Sequence, residues 1–171
     1  SINARKNIIQ IIQVFNEYKS TTKNDHFLIF AGKKMGATSQ IDLAYESSPY
    51  KKYILFIGYQ SDEKITALLA SADLLINLSS YEGFGMQLVE AMRSGVPVFA
   101  SDRSCYPEIV QEAGMLVSVD DIKKMVMDLN QLIIDREKFI QKGIKRALVF
   151  DWDVSAHQLN KLINQSTTKT R

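Results

Sequence analysis

The residues with the most chemical promise are two carboxylates separated by a glycine loop: Glu82-Gly83-Phe84-Gly85 runs directly into Met86-Gln87-Leu88-Val89-Glu90. Gly83 and Gly85 let the backbone turn tightly and come close to a ligand. The spacing of Met86, Leu88, Val89 and Met92 predicts a helix that opens at this loop and ends at Gly95. The first amides of such a helix have no internal partners and lie at the positive end of its dipole, so the loop can seat a phosphate. Glu90 then sits about 7 Å along the axis, at roughly 1.5 Å per residue, while Glu82 stays on the loop. Two anions repel a diphosphate, so their use must lie in accepting hydrogen bonds from hydroxyl groups on either side of it. Ribose, pyrophosphate and sugar, in the order found in a nucleotide sugar, fit that layout. The competing reading makes Glu82 a helix-dipole cap and Glu90 a solvated face residue. The glycines, the spacing and the apolar strand that follows at 96–100 favour the site.

Other chemistries find little support. The single cysteine, Cys105, cannot form an internal disulfide, and no Cys/His cluster has metal-ligand spacing, so no metal site is expected and a reducing compartment fits. A net charge of +2 gives no reason to expect nucleic acid. No apolar run reaches the roughly 20 residues that span a bilayer, and no signal peptide is visible, which points to the cytoplasm. His26 and His157 have no catalytic position. The 171 residues, 46% of them hydrophobic, suit one domain, and the start at Ser1 suggests a piece of something longer.

The elements that must position the loop follow an alternating pattern. Helical spacing covers 7–18, and a polar loop is expected at 20–25. Continuous apolar runs at 27–31 and 53–57 read as strands buried on both faces, with a third strand at 74–78 and others at 96–100 and 115–119. Helices are expected near 41–45, from Ser61 as N-cap through Ala70, and from Pro107; three more follow at 121–134, 136–148 and 153–165, before a tail from Ser166 expected to fray. Alternating strands and helices imply an α/β fold, a Rossmann-like parallel sheet with helices on both faces. Ligands bind beyond the carboxyl ends of such strands, where Gly32, Gly58 and the Glu82 loop converge.

Glu82-Gly83-Phe84-Gly85, Glu90-Ala91-Met92, Gly95-Val96-Pro97-Val98 and Pro107-Glu108 together resemble the donor-binding half of glycosyltransferase family 4, retaining enzymes of the GT-B fold. The likeness extends from Arg5-Lys6-Asn7 through Phe27 to Gly32, Leu55 to Tyr59 and Ala72 to Asn77, as far as Phe150-Asp151-Trp152. It implies one nucleotide-sugar-binding domain over 1–171. Residues 151–171 would form a helix crossing back to an N-terminal acceptor-binding domain.

The resemblance also implies roles. Glu90 would accept from the ribose hydroxyls, and Glu82 would lie against the donor sugar. The amides of Gly85, Met86, Gln87 and Leu88 would meet sugar and phosphate, with Gly83 and Phe84 shaping the loop. Tyr59, Gln60 and Ser61 would lie towards the nucleobase, with Gly32 and Gly58 in the donor-binding loops beside them, although Tyr59 reads equally as a partly exposed loop aromatic. A Lys and an Arg would neutralise the diphosphate leaving group: Lys6 matches the first, and Arg5 is the nearest candidate for the second. Two solvated residues at a helix start are an equal reading of that pair. Lys33 and Lys34 read as a solvated loop. The resemblance requires no metal or other cofactor, only the substrate, a UDP- or GDP-linked sugar. It places the protein in the cytoplasm, at the inner face of the membrane where the acceptor domain associates with it. The alternative is a module that binds a nucleotide or a partner without catalysis. A nicotinamide dehydrogenase is disfavoured, because no glycine triplet of dinucleotide-binding spacing follows the first strand.

Overall fold

The computed structural model describes residues 1–22 and 24–168. Its order is α1 (Ile8–Thr21), β1 (Leu28–Ala31), α2 (Ser39–Glu46), β2 (Ile54–Gly58), α3 (Asp62–Ala70), β3 (Leu75–Asn77), α4 (Met86–Arg93), β4 (Val98–Ser101), α5 (Tyr106–Val110), β5 (Met115–Val117), α6 (Ile122–Ile134), α7 (Arg136–Ala147) and α8 (Trp152–Thr168). This is the expected α/β alternation, with every strand pair parallel. Some boundaries differ. α1 continues to Thr21 and so takes up the start of the polar loop, in which Lys23 lies outside the described residues. α8 continues to Thr168, so the backbone from Ser166 to there is helical; residues 169–171 of the expected frayed tail lie outside the described residues. Ser61 stands at the N-cap of α3 but its side chain makes no capping bond.

The sheet departs from expectation. β1 pairs with β2, and β3-β4-β5 form a second ladder, with no ladder between β1 and β3 among the described residues. A cleft of about 560 Å³ separates them, lined by Ile29 and Ile76 from the strands and Ile65, Leu68 and Leu69 from α3. α3 buries none of its residues. The first two strands are therefore not buried on both faces: Ile29 is 43% and Leu55 is 40% exposed. An apolar run needs a helix seated on each face to be buried twice, and here one of those helices stands off.

β4 is the buried centre. Phe99 joins one core with Ile12 and Phe15 of α1 and Met125 and Leu129 of α6, whereas Val98 and Ala100 join another with Leu88 and Met92 of α4. That division follows from the two-residue period of a strand. Gly114, just ahead of β5, presses so closely on β4 that an added Cβ would lie 2.7 Å from the Val98 carbonyl oxygen.

Candidate functional site

The site begins with the first seven residues, which act as a strap. Ile2 exchanges backbone hydrogen bonds with the loop after β1, its amide donating to the Lys33 carbonyl (2.8 Å) and its carbonyl accepting from Met35 (2.9 Å). Gly32 permits this close approach: its φ is +129°, and a Cβ there would lie 3.1 Å from the Ser1 nitrogen. A short 3-10 turn, Ala4–Lys6, follows and ends at Asn7 in the left-handed region, a conformation that asparagine tolerates. Asn7 Nδ2 donates to the Leu78 carbonyl (2.7 Å), and the Ser80 amide donates to the Arg5 carbonyl (2.9 Å). The strap therefore joins the ends of β1 and β3, which no ladder joins among the described residues.

This places the paired cations on the first carboxylate. Lys6 Nζ lies 2.6 Å and Arg5 Nη1 2.9 Å from Glu82 Oε1, and Arg5 also donates to the Tyr81 carbonyl. Ser79 Oγ is 3.0 Å from the same carboxylate oxygen. Burial alone would push the Glu82 carboxyl up, but the hydrogen bonds from Lys6, Arg5 and Ser79 hold it below the ordinary carboxylate value. Glu82 is not the helix cap of the competing reading. The N-cap of α4 is Gly85, in the left-handed region at φ +90°, with no side-chain cap. Nor are Arg5 and Lys6 merely solvated, since the Lys6 side chain is only 13% exposed.

The glycine loop is clamped from beneath by the turn before α5. Ser104 Oγ donates to the Glu82 carbonyl (2.8 Å) and accepts from the Glu82 amide (3.2 Å), while Cys105 Sγ reaches the Phe84 carbonyl (3.1 Å). Phe84 meets Phe150 edge-on at 5.6 Å, tying the loop to the segment after α7. Of the amides expected to meet a ligand, that of Leu88 donates to the Gly85 carbonyl (2.9 Å) and is already engaged; the tight first turn consumes it. Glu90 is exposed and shares the wall of the cleft with Lys6 and Gln87, so those three face one space.

Gly32 and Gly58 come together, the Gly32 amide donating to the Gly58 carbonyl at 2.7 Å. Tyr59 is 70% exposed, and its ring lies 5.9 Å from Lys33 Nζ. Gln60 turns back to the Ile57 carbonyl. Lys34 pairs with Asp42. Among the described residues, neither Tyr59 nor Gln60 makes a hydrogen bond, ion pair or ring contact with the Glu82 loop. No helix is long and apolar enough to cross a membrane, and no cluster of metal-ligating side chains occurs, both among the described residues.

Three buried polar residues at the strand ends were not foreseen from sequence: Asn77, Ser79 and Ser101, the last two fully buried. Tyr106 was also missed. Its ring lies under Gly85, where a Cβ would come within 2.7 Å of it. Burial pushes its phenol up to about 12 against a weak pull from the nearby Ser79 hydroxyl, and its own hydroxyl makes no hydrogen bond of normal geometry among the described residues. Tyr106→Phe removes that unmatched group with little change in shape. It is expected to gain roughly 1 kcal/mol of stability, read as a melting temperature about 2–4 °C higher in a chain of this size.

A family model described as glycosyl transferases group 1 matches residues 1–146. The chain belongs to that family. O-antigen chain mannosyltransferase B of Escherichia coli is 30% identical to this glycosyl transferase domain over 156 residues, 90% of this chain and 41% of that enzyme. The structure of Anabaena Alr3699/HepE in complex with UDP-glucose superposes with a TM-score of 0.79 at 20% identity, covering 96% of this chain and 46% of that one. The C-terminal domain of the group 1 protein LpcC from Francisella tularensis does so at 0.75 with 23% identity, covering 86% of this chain and 80% of that one. The fold is thus that of a GT-B glycosyltransferase domain, and the chain spans less than half the length of that mannosyltransferase.

Proposed function

We propose that this chain is the donor nucleotide-sugar-binding domain of a retaining family 4 glycosyltransferase, one that moves a hexose from a nucleoside diphosphate to a glycan or glycolipid acceptor. The observation that carries the reading is the cation pair: Lys6 and Arg5 meet Glu82 at the mouth of α4, where exposed Glu90 shares the cleft wall with Lys6. In this reading the α4 N-terminus and the two cations receive the diphosphate. Glu90 accepts from the ribose and Glu82 faces the sugar. Departure of the sugar leaves negative charge on the diphosphate, which Lys6 and Arg5 stabilise where it develops. Acceptor attack occurs on the face the diphosphate leaves. Positive charge from the side chains and the helix end does the work a divalent metal does elsewhere, so no cofactor is needed.

The mannosyltransferase relative makes mannose, carried by GDP, one candidate donor sugar; the UDP-glucose complex of the Anabaena protein makes a uridine donor the other. Acceptor binding and peripheral association with the inner face of the membrane belong to a partner N-terminal domain, and this chain alone transfers nothing. Calorimetric titration with UDP and GDP, each with and without its sugar, tests the reading. Saturable binding of one nucleotide is expected, weakened about tenfold in Glu90→Ala by loss of a charged hydrogen bond. Binding of neither nucleotide would overturn it in favour of a module kept for partner contacts.

A further inference from the structure

Three donors converge on one oxygen, Glu82 Oε1: Lys6, Arg5 and Ser79. Two of them are the cations assigned above to the diphosphate, and an incoming diphosphate competes with Glu82 for both. The third cannot follow. Ser79 is fully buried, and its carbonyl accepts from Ser101 Oγ of β4 at 2.6 Å, so its place is set by the sheet rather than by the strap. Its one hydroxyl proton faces two acceptors, Glu82 Oε1 at 3.0 Å and Asn77 Oδ1 at 2.9 Å. Asn77 is itself held, its Nδ2 donating to Gln87 Oε1 at 3.0 Å in the first turn of α4. One hydroxyl can give its proton to only one acceptor at a time.

We infer that Ser79 is a positioning residue for Glu82: it commits its proton to the carboxylate when Lys6 and Arg5 engage the diphosphate, and so keeps Glu82 against the donor sugar. The inference rests on the donor-site reading above. In the empty protein Glu82 has the two cations as well as Ser79, whose single proton is shared between the carboxylate and Asn77. With donor bound, Glu82 would otherwise keep its charge with too few donors in a partly buried place, which is costly. Asn77 can give up its share of that proton, because its Oδ1 also accepts from the Ser79 amide at 3.4 Å. The chain from Gln87 through Asn77 and Ser79 to Glu82 thereby links the phosphate-binding end of α4 to the sugar side of the site.

The test compares nucleoside diphosphate with nucleotide sugar. UDP, UDP-glucose, GDP and GDP-mannose are titrated into the protein and its Ser79→Ala and Ser79→Thr variants. Ser79→Ala is expected to leave affinity for the bare diphosphate within about twofold while weakening the sugar-bearing donor about tenfold, the order expected for one hydrogen bond to a charged group. Ser79→Thr, which keeps the hydroxyl, restores the sugar-bearing donor. The pH at which donor binding weakens on acidification moves upward in Ser79→Ala, because a hydrogen bond favouring the charged carboxylate is gone. Equal weakening of both ligand types would mean that Ser79 only supports the fold and would overturn the inference, as would no change in either. Should the unaltered protein bind none of the four ligands, the donor-site reading falls and takes this inference with it; binding with an unaffected Ser79→Ala removes this inference alone.

Discussion

Replacing Lys6 by alanine is expected to weaken nucleoside diphosphate binding about a hundredfold, the largest single effect anticipated at the site. The Lys6 side chain is 13% exposed and its ammonium sits 2.6 Å from Glu82, so solvent does little to screen it. Truncating one partner of a desolvated charge pair typically costs roughly 2–5 kcal/mol, and the lower half of that range already corresponds to about a hundredfold. Two losses act together. The diphosphate loses a cation, and Glu82 keeps its charge beside the incoming anion with one fewer counter-charge. Arg5→Ala should cost less, since Arg5 is 40% exposed and water can replace part of its role. Calorimetry on the two variants checks the order; a Lys6→Ala change of less than about threefold would remove Lys6 from the diphosphate.

Gly114→Ala is expected to be the most destabilising single methyl in the chain, lowering stability by about 3 kcal/mol. The added Cβ would lie 2.3 Å from Val98 Cγ2, 2.7 Å from the Val98 carbonyl oxygen and 2.8 Å from Val110 Cγ1. Both valines are fully buried. β4 is paired on both sides, with β3 and with β5, so the carbonyl cannot retreat without breaking a ladder. At Gly143 the nearest atoms to the corresponding Cβ would be the Met92 side chain and its α-carbon, at 3.3 Å or more, and a flexible methionine can yield. Thermal melts followed by far-ultraviolet circular dichroism should show Gly114→Ala melting about 6–12 °C lower, in proportion to the loss, with Gly143→Ala much closer to the parent. Equal melting temperatures for the two would mean that β4 gives way more easily than its pairing suggests.

Both variants probe features that read very differently in the sequence. The loop from Glu82 to Gly85 and the helix after it were legible because they are local: glycines, a 3.6-residue apolar period and a stopping glycine all lie within one short segment. The strands were legible as apolar runs for the same reason. How those strands neighbour one another was not. A run such as Phe27 to Ala31 looks the same whether its sheet is continuous or divided, and nothing in Ile65, Leu68 and Leu69 announces a helix that buries none of its residues. The meeting of Arg5 with the loop at Tyr81 spans 76 positions, and local pattern carries no information at that distance. The resemblance supplied a role for the cations, but not their partner in the empty protein. Ser79, Ser104 and Tyr106 were invisible for a different reason. Serines near glycines read as loop, and a tyrosine beside a proline reads as a turn, until the fold places them beneath Glu82 and Gly85.

α8 has a practical consequence of its own. The only tryptophan in the chain, Trp152, opens that helix and is 77% exposed, outside the two cores built around β4. Trp152 shares its helix with Leu159 and Leu162, which are also exposed. Tryptophan emission of this protein is therefore an optical gauge of whatever settles on α8, while the buried Tyr18 and Tyr106 report on the interior.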